Sequence, residues 1–478
     1  MPYVLGIDIG STATAAAVAR LRGNSWDPPE PVRLGPAGHA VPSVLLMSSN
    51  RSITVADPDE YDGPVDSGWV ARDFAGRIGD GVPLLLGGEA CSAQALTAML
   101  AMWVVERVME QERENPDWIV LSHPAGWGDH RRHLLGEALW DVGLGDVSLL
   151  PAPVLAAASH AAHGFSGRTL AVHTLGGQTW STAVVDRAQP LGFELRTGHV
   201  GAEPLGGADF DEALVEHVRS GLARELADPA DPLVRQALLG LRRESRRAKL
   251  ELTLADSADV PVRLPARQTR VPVRRAEFED LIRPAVTLTV QELVRTVRSC
   301  GLAPHQLDGV LLAGGSARIP LVRELVAARF PVPVEVEADP QLTIAAGAAV
   351  AGCQLLDRQR GNRPPPRPPV MRPPRPGVRR GEPPARRQRG RSGDGREPGR
   401  YDDGREPGRY DEDRSQLPPR PPIRITPLEL PMRKLSRFAS GRDTTVVGLA
   451  ALLVALGVLL GGIGGSDPLT VAASGWGW

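Results

Sequence analysis

The apolar positions of this chain come in short blocks separated by glycine turns. Val4–Ala19 reads VLGIDIGSTATAAAVA, with Val4, Leu5, Ile7 and Ile9 first, a break at Gly10-Ser11-Thr12, and small apolar residues over Ala15–Ala19. That pattern predicts a buried strand, a tight turn and a returning strand. A polar, proline-containing stretch follows to about Asp66. Within Glu89–Glu112, Leu96, Met99, Leu100, Trp103, Val104 and Val108 fall at helical spacing. Trp118–Leu121 reads as a strand, and His130–Leu139 and Val154–His163 as helices. Thr169–Val172 and Ser181–Val185 read as strands flanking Leu175–Thr179. Helices are expected over Asp209–Leu226, Pro232–Leu252, Phe278–Ser299 and Ile319–Arg329, with a strand at Gly309–Ala313 and a buried helix at Thr343–Leu356. Residues 1–357 therefore read as a globular α/β region.

The pattern stops at Asp357. Residues 358–442 are rich in Pro, Arg, Gly and Asp and poor in apolar side chains, so disorder is expected there. They include a tandem repeat, DGREPGRYD, at Asp394–Asp402 and Asp403–Asp411. Residues 443–465 include LAALLVALGVLLGGIGG, about the ~20 apolar residues of a transmembrane helix. Arg433, Lys434, Arg437 and Arg442 precede this stretch, and Asp467 follows it. The positive-inside rule then predicts a single-pass protein of the inner (plasma) membrane, with a cytoplasmic N-terminal domain and a short extracytoplasmic tail at 466–478. The Pro/Arg tract is expected to be a flexible tether. Pro364–Pro369 could recruit proline-recognising domains and Arg433–Arg442 could contact anionic lipid.

At 478 residues the chain exceeds one core's worth. Its formal net charge of -1 gives no reason to expect specific nucleic-acid binding. The first residues lack a basic stretch followed by an apolar one, so no signal peptide is expected. Cys91, Cys300 and Cys353 lie far apart and are expected to be buried small apolar residues, not a disulfide or zinc set. His130/His133 and His160/His163 have i,i+3 spacing without further obvious ligands. The Arg242–Lys249 cluster reads as a solvated helix face, Lys249 apart.

Three glycine turns carry the candidate chemistry: Asp8–Thr12, Leu175–Thr179 and Gly314–Ser316. Successive amides in such turns form anion-binding nests suited to phosphate. Asp8, just before the first turn, could hold Mg²⁺ directly or through water. A single such hairpin would be unremarkable, but three in this order and spacing form a pattern.

That pattern resembles the actin-like ATPase fold, two lobes built on duplicated ribonuclease-H-like domains, and within it the DnaK-type (70-kDa heat-shock) chaperones. Gly6–Thr12 resembles the first phosphate motif and Leu175–Thr179 the second. Val41-Pro42-Ser43 resembles the family's threonine-proline-serine strand, Trp118–Gly126 with Pro151–Ala158 its first connecting motif, and Ala345–Ala349 its second. Gly206-Gly207-Ala208-Asp209-Phe210-Asp211 is similar to the family's GGxDFD, Ala248–Leu252 to its adenine-side helix, and Gly309–Pro320 to its adenosine motif. The resemblance implies binding of ATP or ADP with Mg²⁺ between two lobes. Its nucleotide set here is Gly10, Ser11, Thr12, Ala13, Gly176, Gly177, Gln178, Thr179, Gly206, Gly207, Lys249, Gly314, Gly315, Ser316 and Arg318, with Asp8 on the metal.

Departures from the family are equally definite. Its catalytic lysine falls on Ala75, its water-positioning glutamate on Ala152, its two further aspartates on Thr174 and Ser181, and its adenine-side glutamate on Arg246. In place of the family's peptide-binding domain stand the Pro/Arg tract and the apolar stretch. The expectation is a membrane-anchored nucleotide switch with weak or absent hydrolysis. The rivals are a working ATP-dependent chaperone, a scaffold for cell-envelope or secretion assembly without nucleotide, and, less favoured, a sugar kinase of the same superfold. Protein partners are expected at the lobes or the tether.

Overall fold

The computed structural model describes residues 1–361, apart from 37, 49, 58–66, 190–191, 202–203, 227–230 and 266. The 358–442 tract beyond 361, the expected span at 443–465 and the tail at 466–478 lie outside the described residues. Among the described residues no helix is long and apolar enough to cross a membrane.

β1 (Tyr3–Ile9) and β2 (Ala13–Arg22) pair antiparallel, with Asp8 opposite Ala15. Short strands at Ser25–Trp26, Glu30–Pro31 and Ala40–Pro42 extend β2 on its far side. α1 (Ala93–Glu112) starts later than its apolar periodicity suggests. Glu89–Cys91 instead pair with Leu84–Leu86, and the Ser92 hydroxyl accepts from Ala95 N at 3.3 Å as the helix cap. β3 (Trp118–His123) runs parallel to β1, α2 spans Asp129–Asp141, and β4 (Val147–Pro151) runs parallel to β3. α3 spans Ala152–Ala162.

The second half repeats the plan. β5 (Thr169–Leu175), β6 (Trp180–Ala188) and β7 (Gly192–Val200) form an antiparallel meander. α4 (Gly207–Gly221) and α5 (Pro232–Leu252) follow, then the hairpin β8 (Ser257–Arg263) and β9 (Gln268–Arg274), then α6 (Arg275–Ser299). β10 (Gly309–Ala313) runs parallel to β5. A 3₁₀ turn at Gly315–Arg318 leads into α7 (Pro320–Ala327), whose first residue is a proline that needs no amide partner there. β11 (Val334–Val336) runs parallel to β10, and α8 spans Thr343–Gly361.

Both halves thus carry a central hairpin, a third antiparallel element beyond its second strand, and two parallel strands beyond its first. This duplicated plan matches the expected architecture. Five of these strands lacked a sequence signal: β4, β7, both strands of the β8–β9 hairpin, and β11. They are short or carry a proline or glycine that reads as a turn; in β8 the buried alternation of Ala258, Val260 and Val262 is interrupted by Pro261. The helix expected to end at Leu226 ends at Gly221, and Leu222–Leu226 continues as turns.

α3 and α8 cross between the two sheets. Val154, Leu155, Ala156 and Ala157 of α3 and Ile344, Ala348 and Ala351 of α8 share one apolar cluster with Val120 of the first sheet and Leu170, Val172 and Leu311 of the second. The crossing is tight enough that a Cβ on Gly347 would sit 1.7 Å from the Leu155 carbonyl oxygen. The fold can therefore place two hairpin turns opposite each other across a packed hinge. Cys91 and Cys353 are buried as expected, but Cys300 is only partly so, its Sγ lying 3.4 Å from the Thr296 carbonyl.

Candidate functional site

The β1–β2 turn closes through Gly10 N donating to Ala13 O at 3.0 Å. Ser43 N donates to Thr12 O at 3.0 Å, and the buried Thr14 and Ser43 hydroxyls meet at 2.9 Å, so the Val41–Ser43 segment buttresses the turn. The β5–β6 turn closes in the same way, with Gly176 N donating to Thr179 O at 2.8 Å. The amides of Ser11, Thr12, Gly177 and Gln178 have no acceptor among the described residues.

The two turns face each other closely. A Cβ on Gly177 would lie 2.1 Å from the Thr12 hydroxyl oxygen, so only glycine lets the turns meet at this point.

Behind the second turn the other glycine motifs converge. Gly176 O accepts from Gly207 N at 3.0 Å and from the Ser316 hydroxyl at 2.8 Å. Leu205 N donates to Gln178 O at 3.0 Å and Ala208 N to Gly177 O at 2.7 Å. Gly314 N is held by Pro340 O at 2.8 Å. Residues 176–179, 205–208 and 314–316, remote in sequence, thus form one hydrogen-bonded knot. Lys249 of α5 reaches it with Nζ 2.6 Å from Gly207 O and 2.8 Å from Asp211 Oδ1. Burial pushes the Lys249 ammonium below its ordinary range and the Asp211 carboxyl above its own; each partner opposes the other's shift. Arg318 lies apart from the knot, ion-paired with Asp339 at the surface.

Asp8 sits at the end of β1, and the Ser122 hydroxyl donates to its Oδ1. Burial pushes the Asp8 carboxyl up to about 6, and the Ser122 bond only partly offsets this. Across the site Thr174 and Ser181 are cross-strand partners, and the Thr174 hydroxyl is buried with no partner among the described residues. Ala152 opens α3 and Ala75 opens a 3₁₀ turn at Ala75–Arg77. Arg246 lies on α5, one turn from Lys249, and its charge bears on the Lys249–Asp211 pair.

The structure thus brings Gly10–Ala13, Gly176–Thr179, Gly206, Gly207, Lys249, Gly314, Gly315 and Ser316 into one region, and leaves Arg318 at its rim. Sequence reasoning missed Ser122, Ser43 and Asp211 as partners. Ser122 and Asp211 stood inside motifs already singled out, at the ends of Trp118–Leu121 and GGADFD. Only the strand pairing of β1 with β3 and the approach of α5 to α4 reveal what they touch.

The sequence profile of the family described as "Hsp70 protein" matches residues 79–361. The chain belongs to the Hsp70 family. Among curated relatives, the chaperone protein HscA of Pectobacterium carotovorum subsp. carotovorum (strain PC1) is 31% identical over 282 residues, covering 59% of this chain and 42% of the relative. The chaperone protein HscA homolog of Acidithiobacillus ferrooxidans (strain ATCC 53993 / BNL-5-31) is 28% identical over 376 residues, covering 74% and 59%. That of Bordetella pertussis (strain Tohama I / ATCC BAA-589 / NCTC 13251) is 33% identical over 234 residues, covering 48% and 36%. The chain spans about half the length of the curated relatives it matches. The Hsp70 match covers both turns of the second sheet, the crossing helices and the Lys249 helix. The duplicated topology extends the same plan to the first hairpin.

Proposed function

We propose that the Hsp70-type region of this chain binds ATP or ADP with Mg²⁺ between the two hairpin turns and acts as a conformational switch with slow or absent hydrolysis. The observation carrying this reading is the pair of opposed turns whose Ser11, Thr12, Gly177 and Gln178 amides have no acceptor among the described residues. Unsatisfied, converging backbone N–H groups are an anion site, and a nucleotide's phosphates fit between two of them. Mg²⁺ is typically held by one or two carboxylates together with phosphate oxygens and water. Asp8 would supply the carboxylate, with the orphaned Thr174 hydroxyl available to a metal-bound water. That donor set suits metal brought in with its nucleotide, and Mg²⁺ would neutralise phosphate charge there.

Slow hydrolysis follows from what the site lacks. Phosphoryl transfer needs cationic stabilisation of the γ-phosphate and groups that orient water, and removing one such group typically costs ~10²–10³ in rate. Alanines stand at the family's lysine and glutamate positions, 75 and 152, and hydroxyls at its two further aspartates, 174 and 181.

Isothermal titration of the full chain with ATP and ADP, with and without Mg²⁺, tests the reading. The expected result is binding that Mg²⁺ strengthens and Asp8→Ala weakens, with turnover near background. No binding at millimolar nucleotide would leave a scaffold. Rapid Mg²⁺-dependent turnover abolished by Asp8→Ala would favour an active chaperone, the activity the relatives' names carry.

The apolar stretch at 443–465 supports a further part of the proposal, that the nucleotide region is tethered at the cytoplasmic face of a membrane, with protein partners meeting the lobes or the Pro/Arg tract. Truncation after residue 442 is expected to move the protein from the membrane fraction to the soluble one. An unchanged distribution would overturn the tether.

A further inference from the structure

Away from the hairpin turns, α6 and α7 border a groove of about 300 Å³. Val290, Val294 and Leu325 form its floor, the first buried and the other two half-buried. Arg295, Arg298 and Arg329 stand exposed around it, and no carboxylate belongs to the lining. The chain's formal net charge is only -1, so this concentration of positive charge is local. Arg295 is ion-paired with Glu292 one turn back on α6. Arg298 and Arg329 have no hydrogen bond or ion pair among the described residues. Arg298 occupies the last turn of α6, and Arg329 follows the end of α7 at Ala327. The negative partial charge of a helix C-terminus favours a cation there while leaving its N–H donors unspent.

From this placement we infer that the α6–α7 groove is a second ligand site, for a phosphate monoester that carries a short apolar chain. Small-molecule sites of this size pair an apolar lining with a few converging polar groups. A monoester brings about −1.5 to −2 charges at pH 7 and three acceptor oxygens. Guanidinium forks meet such oxygens two at a time. A single carboxylate would leave most of the rim's charge uncompensated, and inorganic phosphate would leave the Val290–Val294–Leu325 floor wet. A free ester and the headgroup of a lipid present this same chemistry. No residue of the groove belongs to the nucleotide set, so the inference stands apart from the nucleotide reading.

Calorimetric titration of the full chain with hexyl phosphate, in excess ADP, tests the site. Hexyl phosphate should bind at least about tenfold more tightly than inorganic phosphate or hexanol, since each of these keeps only half of the contacts. Arg298→Gln combined with Arg329→Gln should weaken it by about 10- to 100-fold, the range for losing charge-assisted hydrogen bonds, and leave the Tm and ADP affinity unchanged. Gln291 is an exposed residue of the same lining, and Gln291→Trp should fill the groove without altering its charge and weaken hexyl phosphate similarly. Equal binding by wild type and both variants would overturn the site, as would no binding to wild type at millimolar ligand. Inorganic phosphate bound as tightly as hexyl phosphate would overturn the apolar part of the ligand. Should ADP itself fail to bind, the nucleotide reading falls, and the two variants still locate hexyl phosphate. Displacement of hexyl phosphate by phosphatidylcholine vesicles containing phosphatidic acid, and not by phosphatidylcholine alone, would identify a lipid headgroup. Displacement by neither would identify a soluble ester.

Discussion

At the scale of single residues, two buried titratable groups pull stability in opposite directions. Burial raises the Asp8 carboxyl from about 3.8 to about 6. A raised folded value means the unfolded chain loses its proton first, so this group's contribution falls as pH rises from about 4 to 6, by ~2–3 kcal/mol. Burial lowers the His173 imidazole from 6.5 to about 4, with Nε2 3.0 Å from the Thr289 hydroxyl. Here the unfolded chain gains its proton first, so this contribution is full above pH 6.5 and declines by ~3 kcal/mol as pH falls to 4. The two nearly cancel across the same window. Asp8→Asn should therefore stabilise the nucleotide-free protein at pH 7 by ~1–3 kcal/mol and uncover the acid sensitivity that His173 causes. Urea unfolding of both proteins between pH 4.5 and 7.5 checks this; equal stability of wild type and variant at pH 7 would refute the burial cost assigned to Asp8. Because Mg²⁺ requires the ionised carboxylate, nucleotide affinity in Mg²⁺ should also drop below about pH 6. Neither buried group was legible in the sequence beyond its name. Asp8 was singled out as a metal ligand, but its raised pKa comes from burial between the enclosing elements, against which the Ser122 hydrogen bond works. His173 carried no signal at all within an apolar strand.

At the scale of elements, close approaches at glycines set the geometry, and two of them can be tested by single substitutions. At the α3–α8 crossing, Gly347→Ala would drive a methyl into the Leu155 carbonyl, a backbone atom that cannot turn aside. We expect destabilisation of more than ~2 kcal/mol and a lower Tm, measurable by thermal or urea unfolding. At the opposed turns, Gly177→Ala meets the Thr12 side chain, with its hydroxyl, methyl and Cβ 2.1, 2.6 and 2.8 Å from the added carbon. The fold should survive, the turns should part, and ADP affinity should fall at least about tenfold. Thr12→Ser combined with Gly177→Ala should recover part of that loss, since the Thr12 methyl is among the atoms in the way. An unchanged affinity in the single variant would mean the turns do not act together. Element by element, the long helices and the two central hairpins were readable from periodicity and turn residues. The hairpin at 257–274 and the edge strands were not, because alternation broken by proline resembles loop.

At the scale of the whole molecule, the two halves share a topology and a core cluster, so ligand bound between them should stabilise both together. Saturation with ADP at 100 times its Kd should add ~2.7 kcal/mol to unfolding stability and raise the Tm of the folded region in one transition. Two separate transitions, only one of them shifted by ADP, would show that the halves respond independently. The packed α3–α8 crossing argues for the single transition, since Val120 of one sheet and Leu311 of the other belong to one apolar cluster.

The sequence alone determined the α/β class, the order of the helices and the place of the glycine turns. Those features are local: hydrophobic period, turn chemistry and helix caps act over a few residues. It also carried the motifs on which the Hsp70 resemblance rests, such as Gly206–Asp211, because a motif of a few contiguous residues is visible wherever it falls. Only the tertiary structure decided that residues 176–179, 205–208 and 314–316 form one knot, that Thr12 meets Gly177, and that Lys249 is held by Asp211 and not by solvent. These contacts join residues separated by up to 165 positions, as for Thr12 and Gly177. Their partners are chosen by strand register and by two helices crossing at glycine, which no local pattern encodes.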